Sequence, residues 1–419
     1  MFAPASPKTF VLDSLSFMLE LETALNRILE AVRPLEHETV ALTEAADRVL
    51  AEPILSAADL PRFDNSAMDG YAVRSTDLAA ANPEKPASLS VRGKVAAGGV
   101  LADAVAAGTC VRVFTGSPLP AGADAVVMQE DTRPDPSRPD TIWVLDAVKP
   151  WANVRFRGED AKCGTTLAEA GDRLTFGHVG WLAAAGLLEL KVSRQPRVGL
   201  LATGNELAEA GQPLQPGQIY ESNRAMLAHL VKRSGAQPDI FPLVPDTLEA
   251  THSALEKAFS RCDAVITTGG VSVGEFDFVK AAFEQMGGEL NFWKVSIKPG
   301  KPFVFGCAGS KFLFGLPGNP VSALVTFLVL VRPALARMQG ARDTGLSRCP
   351  GMLTGPLTNP ADRRHFMRVF QDHAGNVRSA GAQASHLLGS IAKANGLVDV
   401  PPNTTFVAGT TVAVLRWDC

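Results

Sequence analysis

"VITTGGVSVGEFDF", residues 265–278, stops an apolar run at two threonines and two glycines, then passes Ser272 and Gly274 to an acid, Asp277. Such a stretch reads as a strand ending in a turn that opens a helix. Small residues there leave backbone N–H groups uncovered, and the helix that follows presents its positive end, so the turn has the character of an anion site. Thr267, Thr268 and Ser272 add hydroxyls. Neither GxxxxGK[ST] nor GxGxxG is present, so a known nucleotide fingerprint does not explain it. By itself the turn fits a phosphate site and a tight structural turn equally.

Working outward, residues 196–340 alternate strand-like and helical stretches. "RVGLLATG", "DIFPLV", "DAVITTGG" and "FLFGLPGN" have strand character. "SNRAMLAHLVKRSG", "TLEATHSALEKAFSR", "DFVKAAFEQMG" and "PVSALVTFLVLVRPALARMQG" have helical character. That rhythm predicts a mostly parallel sheet covered by helices, with ligands beyond the carboxyl ends of the strands.

The flanks have other textures. Met18, Leu21, Leu25, Ile28, Leu29 and Val32 share one helical face, so the first 50 residues read as helical, capped by Asp13 or Ser14 and stopped at Pro34. Residues 59–162 carry Gly, Pro and short β-branched runs ("GTCVRVFTG", "ADAVVMQED", "DTIWVLDAV") and read as a β-rich domain, with "RPDPSRPD", 133–140, as a loop. "TFGHVGWLAAAGLLEL" is helical and is expected to pack back on the first helix, making the β-rich region an insertion. Residues 341–419 return to short strands ("HFMRVF", "NGLVDVP", "TTVAVLRW") and predict a small β-barrel or sandwich. The expected domains are therefore 1–58 with 163–194, 59–162, 195–340 and 341–419. The fold class is α/β and β multidomain.

The 419 residues carry a net charge of −3, too little positive charge for a dedicated nucleic-acid binder. Six cysteines are scattered without a CxxC pair, which fits reduced thiols. An early lysine and aspartate interrupt any signal-like start, and the apolar run "VSALVTFLVLV" is shorter than the ~20 residues of a membrane span. A cytoplasmic protein is expected.

Three further clusters carry chemistry. "WKVSIKPGKPF" places Lys294, Lys298 and Lys301 on one short element, where they repel one another unless an anion or water intervenes. Glu206 of "ATGNEL", Asp246 of "VPDT" and Asp277 lie at the ends of three successive strands. Acids beside lysines fit Mg²⁺ bridging to phosphates, although a helix N-cap is the commoner role for each acid alone. "GLPGNPVS", 315–322, is another strand-to-helix turn, with Pro320 suited to a first helical turn. In "FDNSAMDGYAV", 63–73, spacing assigns no role to Asn65, Ser66 or Asp69.

Taken together, "FDNSAMDGYAVR", "TGSPLPAGADAVV", "RGED", "TGNEL", "TTGGVSVGEFDF", "IKPGKPF" and "GLPGNPVSA" resemble the MoeA family of molybdopterin molybdenumtransferases, which includes the catalytic domain of gephyrin. The matches run in family order from about residue 15 to 390. The resemblance implies an elongated four-domain chain with a MogA/MoaB-like α/β domain, a β-rich inserted domain and a C-terminal β-barrel. It implies a homodimer whose cleft is shared between subunits, and a MogA-type adenylyltransferase acting upstream. The reaction implied takes adenylylated molybdopterin and molybdate, requires Mg²⁺, inserts molybdenum and releases AMP.

Residue roles follow from the same resemblance. The turn Gly269, Gly270, Val271 and Ser272 lines the pterin-phosphate side. Asp277 is the acid of metal-dependent adenylate cleavage, with Glu206 and Asp246 as further acids of that cleft and metal. Lys298 and Lys301 match the molybdate-binding lysines, with Ser322 in the same oxyanion site, Pro317, Gly318 and Asn319 before it, and Lys294 nearby. Arg368 and Ser385 match the remaining oxyanion contacts. Asp69, Thr115 and Asp160 match positions that enter the partner's cleft. The chain departs from the pattern at Asn205, where many relatives carry aspartate, and at Phe278, where some carry tyrosine. The α/β region alone would also serve a molybdopterin adenylyltransferase, and a gephyrin-like scaffold is a third reading.

Overall fold

The computed structural model describes residues 18–99, 103–270 and 278–417. The chain forms two compact units. One holds the N-terminal segment to Glu52, Ala170–Leu174 and everything from Leu190 onward; the other holds Pro53–Glu169 and Thr175–Glu189.

At the centre of the first unit is a six-stranded sheet in the order Gln237–Ile240, Arg197–Ala202, Ala264–Thr268, Lys311–Leu316, Val304–Ala308, Glu289–Phe292. The first four strands are parallel and the last two antiparallel. Strands 197–202 and 264–268 are buried almost throughout, as strands covered on both faces must be, and this explains their unbroken apolar runs. The alternation predicts the four parallel strands. It misses the antiparallel pair, because "ELNF" and "VFGCA" have no helix between them to mark a crossover.

The helical run Pro320–Met338 has 19 residues, and 83% of its most apolar stretch is buried inside the protein. Pro320 opens it, and a π-helical turn, Phe327–Val331, lies in its middle. The helix Leu21–Ala31 packs Leu21, Ala24 and Ile28 into the same core as Val331, Leu335 and Met338. Burying such a side chain contributes roughly 1.5–3 kcal/mol. This first helix begins after Glu20, which makes no side-chain cap; Asp13 and Ser14 lie outside the described residues. Residues 37–41, expected to be helical, form a strand paired with Glu189–Ser193. The β-branched Thr39 and Val40 favour the extended state once a partner strand is available.

The C-terminal region is a closed barrel. Its strands run Arg364–Gln371, Asn376–Ser379, Ser347–Leu353, Thr411–Arg416, Gly396–Val400 and back to Arg364–Gln371. Met367, Val369, Val377, Val398, Val400, Val412 and Val414 fill its interior. Ile297–Lys298 adds to this barrel as a parallel strand beside Arg364–His365. The chain between the two antiparallel strands of the α/β sheet therefore leaves that sheet and joins the barrel.

The second unit is built on its own six-stranded sheet, ordered Ala125–Met128, Gly70–Val73, Thr109–Val113, Ala87–Val95, Arg138–Val144, Thr132–Asp135. The helix Phe176–Ala184 also belongs to this unit, started by a capping box between Thr175 and His178. Residues 133–140, read from composition as a loop, instead form the hairpin between the last two strands. Asp135 accepts from the Ser137 N–H at 2.9 Å and from the Arg138 Nε at 2.9 Å, which builds the turn. Pro134 survives because 132–135 is an edge strand with one side free of ladder bonds; Pro136 sits in the turn, and Pro139 precedes the residues of its strand that pair with Ala87–Ser90.

Candidate functional site

The strand ends of the α/β sheet gather the glycine turn first. Gly269 has φ +83° and Gly270 φ +63°. A Cβ on Gly269 would sit 2.5 Å from the Thr203 carbonyl oxygen, and one on Gly270 would sit 2.9 Å from Val279 Cγ2. Only glycine fits both the backbone conformation and the space. The turn thus lies against the end of the neighbouring strand, whose continuation carries Glu206. Asp246 joins there: its Oδ2 accepts the Asn205 N–H at 3.0 Å, and its own N–H donates to Asn205 Oδ1 at 3.2 Å. Asn205, the departure noted in the sequence, therefore ties two strand ends together. Gly318 borders the same turn, since its Cβ would lie 3.8 Å from Gly269 Cα. Asn223 donates to the Gly318 carbonyl at 2.7 Å. The buried hydroxyls of Thr203 and Thr267 and the buried Oδ1 of Asn223 have no hydrogen-bond partner. Ser272 and Asp277 lie outside the described residues.

A second feature opens beside the helix that begins at Pro320. A cavity of about 760 Å³ is lined by the 297–302 loop, Ser322, and the 356–386 part of the barrel. Lys298, Lys301, Ser322 and Ser385 all line it, with Arg363, His365 and His386. Among the described residues no aspartate or glutamate lines it. Three elements hold it together. The Lys298–Pro299 peptide is cis. Gly300, at φ +113°, lets the loop close on the helix, where a Cβ would meet Thr326 Cγ2 at 2.6 Å. The Val321 N–H donates to the Ser385 carbonyl at 3.1 Å, joining helix to barrel. Lys298, Lys301 and Arg363, with hydroxyls and a helix N-terminus, make a wall suited to an oxyanion.

The other sequence-selected cations have different neighbours. The Lys294 ammonium lies 4.7 Å from the centre of the Trp293 ring and does not line the cavity. Arg368 is completely buried. Its Nε donates to Ser390 Oγ at 2.8 Å, and its Nη2 to the carbonyls of Ala382 at 2.9 Å and Ala384 at 3.2 Å, while Nη1 has no partner. Burial pulls its pKa down to about 10. Arg368 therefore holds the segment that brings Ser385 and His386 to the cavity wall. Arg363 and His365 were passed over in the sequence because nothing in "RRHFMRVF" says which strand ends face a cavity.

In the second unit, Asp69 Oδ1 accepts both the Thr115 N–H at 2.8 Å and the Thr115 hydroxyl at 2.9 Å. These two bonds hold the exposed Asp69 carboxyl below its usual range. Asp160 Oδ2 accepts from the Trp181 Nε1 at 2.7 Å. Among the described residues no group of three or more His, Cys, Asp and Glu side chains is gathered for a metal ion.

Comparison with known proteins adds the decisive observation. The chain is 41% identical over 404 residues to the molybdopterin molybdenumtransferase of Haemophilus influenzae, covering 95% of this chain and 98% of that one. The chain belongs to the MoeA family. Family models match the MoeA N-terminal region (domain I and II) at residues 19–186, the probable molybdopterin binding domain at 199–337, and the MoeA C-terminal region (domain IV) at 350–417. The molybdopterin molybdenumtransferase of Bacillus subtilis is 35% identical, covering 95% of this chain and 94% of that one. The crystal structure of the MoeA protein of Pyrococcus horikoshii superposes with a TM-score of 0.82 at 32% identity, covering 96% of this chain and all of that one. In MoeA-family terms the glycine turn and the strand-end acids lie in the probable molybdopterin binding domain, and the cationic cavity lies where that domain meets domain IV.

Proposed function

We propose that this MoeA-family chain acts in molybdenum cofactor biosynthesis, transferring molybdenum from molybdate to adenylylated molybdopterin with cleavage of the adenylate and release of AMP. The carrying observation is the cavity whose charged side chains, among the described residues, are all cations or histidines, joined through one helix N-terminus to a glycine turn at the strand ends. Molybdate is a tetrahedral dianion. Lys298, Lys301, Ser322 and Ser385 give it charge and hydroxyl donors. The Gly269–Gly270 turn lets phosphate oxygens of the pterin substrate approach the backbone, and Gly318 keeps the passage between the two places narrow in side chains.

Phosphoanhydride cleavage needs positioning and charge neutralisation more than covalent chemistry. Asp246 and Glu206 flank the same turn, and two carboxylates with substrate oxygens are a donor set that fits Mg²⁺. With Asp277 they would hold it; the ion would supply neutralisation of developing phosphate charge. The lysines keep the oxyanion in the cavity. Asp69 and Thr115, fixed to each other, and Asp160 are proposed to complete the cleft of a partner subunit in a homodimer. A MogA-type adenylyltransferase would supply the substrate, in the cytoplasm.

The test is AMP release from adenylylated molybdopterin with Mg²⁺, with and without molybdate. Stimulation by molybdate is expected; its absence, or consumption of ATP instead, removes the proposal. Replacing Lys298 with alanine should raise the molybdate concentration for half-stimulation by about 10–100-fold, since a charge-assisted contact is worth roughly 1.5–3 kcal/mol. An unchanged half-stimulation would remove Lys298 from the oxyanion site.

A further inference from the structure

The imidazole of His365 is 3% exposed, lines the cationic cavity, and has no hydrogen-bond partner at either ring nitrogen. A buried imidazole without partners costs roughly 1–3 kcal/mol of desolvation, so an isolated structural role explains it poorly. Its backbone is fixed on two sides, by Lys298 and by Val400 across the barrel strands. The neighbouring charges are uniform in sign. Lys298 faces it from the adjoining strand and Lys301 from the loop; Arg363 and Arg368 belong to its own chain segment; His386 comes from the segment across the cavity. The one acid on the adjacent strand, Asp399, is engaged by Arg364.

We propose that His365 is a direct ligand of the tetrahedral oxyanion in this cavity and takes up a proton when the anion binds. The inference rests on the reading of the cavity as an oxyanion site. In the empty cavity, burial first and then Lys298 and Arg368 push the imidazole down to about 4, so it is neutral near pH 7. A dianion seated among these groups reverses the sign of the local field and favours the imidazolium, raising that pKa. The ring N–H facing the anion then donates with a positive charge behind it, a stronger contact than a neutral tautomer makes. The sign follows: affinity increases as pH falls toward the pKa of the bound state and is lost as pH rises above it. Each unit by which the anion raises the pKa allows up to about tenfold in affinity across that window.

The experiment is calorimetric titration of the full-length protein with molybdate, and with sulfate as a second dianion, from about pH 6 to about pH 8.5 in buffers of different ionisation enthalpy. Wild type should take up a fraction of a proton per anion at the acid end and bind several-fold more weakly at the alkaline end. His365→Gln keeps a neutral donor and should bind with no proton uptake and a flat pH profile. His365→Phe should bind about tenfold more weakly than wild type at the acid end, with no proton uptake and a flat pH profile. His373→Gln, at an exposed position that does not line the cavity, should keep the wild-type uptake. If H365Q matches wild type in affinity and uptake while K298A loses binding, the cavity stands and the role of His365 is overturned. If wild type shows no binding of either dianion, the cavity reading falls and the histidine proposal with it.

Discussion

Replacing Arg368 with alanine should lower stability by roughly 2–5 kcal/mol, the usual cost of truncating a large buried side chain and leaving its acceptors unsatisfied. The guanidinium is fully buried and its three bonds tie strand Arg364–Gln371 to Ser390, Ala382 and Ala384. Truncation leaves those acceptors in a cavity the size of the lost side chain, so the 382–390 segment must rearrange. Ser385 and His386 ride on that segment, and molybdate binding should fail with it. Arg368→Met fills the space without a charge and should recover part of the stability but not the placement of Ser385. Urea unfolding and molybdate titration of the three proteins measure both effects. An alanine variant with wild-type midpoint and affinity would show that Arg368 does not position this wall.

The second large effect is expected at Gly70. It lies in strand Gly70–Val73, inside the six-stranded sheet of the second unit, opposite Met128 on one side and Val113 on the other. A Cβ there would stand 1.9 Å from the Val127 carbonyl oxygen and 2.9 Å from its carbon. No rotamer change relieves a clash with backbone, so Gly70→Ala must separate two paired strands. The cost should exceed the ~1–3 kcal/mol typical of overpacking a core. Asp69, the preceding residue, should lose its two bonds from Thr115. Thermal unfolding and limited proteolysis across 53–189 would register the loss. Wild-type melting and protection would mean that the strands accommodate the methyl group.

Much of this architecture was legible in the chain. Three of the four parallel strands announce themselves as apolar runs ending at Gly204, Gly269 or Gly318; the edge strand Gln237–Ile240, partly exposed, has no such run. The barrel strands show alternation at Met367, Val369, Val398, Val400, Val412 and Val414. What sequence could not convey was where the lysine stretch goes. Lys294, Lys298 and Lys301 read as one cluster, yet Ile297–Lys298 crosses to the barrel, so Lys298 and Lys301 line a cavity while Lys294 turns to Trp293. Arg363 and His365 reach that cavity through pairing across more than sixty positions of chain, a relation no local pattern carries. The 133–140 hairpin was hidden by its prolines, which mark edge strands as often as loops. The recurring motifs pick out Ser322 and Ser385 through resemblance; the bond between Val321 and Ser385 supplies the physical reason both line one cavity.

The most direct test of the oxyanion cavity is anomalous diffraction at the molybdenum absorption edge from crystals of this protein equilibrated with molybdate. One peak is expected among Lys298, Ser322 and Ser385, within hydrogen-bonding reach of His365. Strong molybdenum peaks elsewhere, with none in that cavity, would contradict the account.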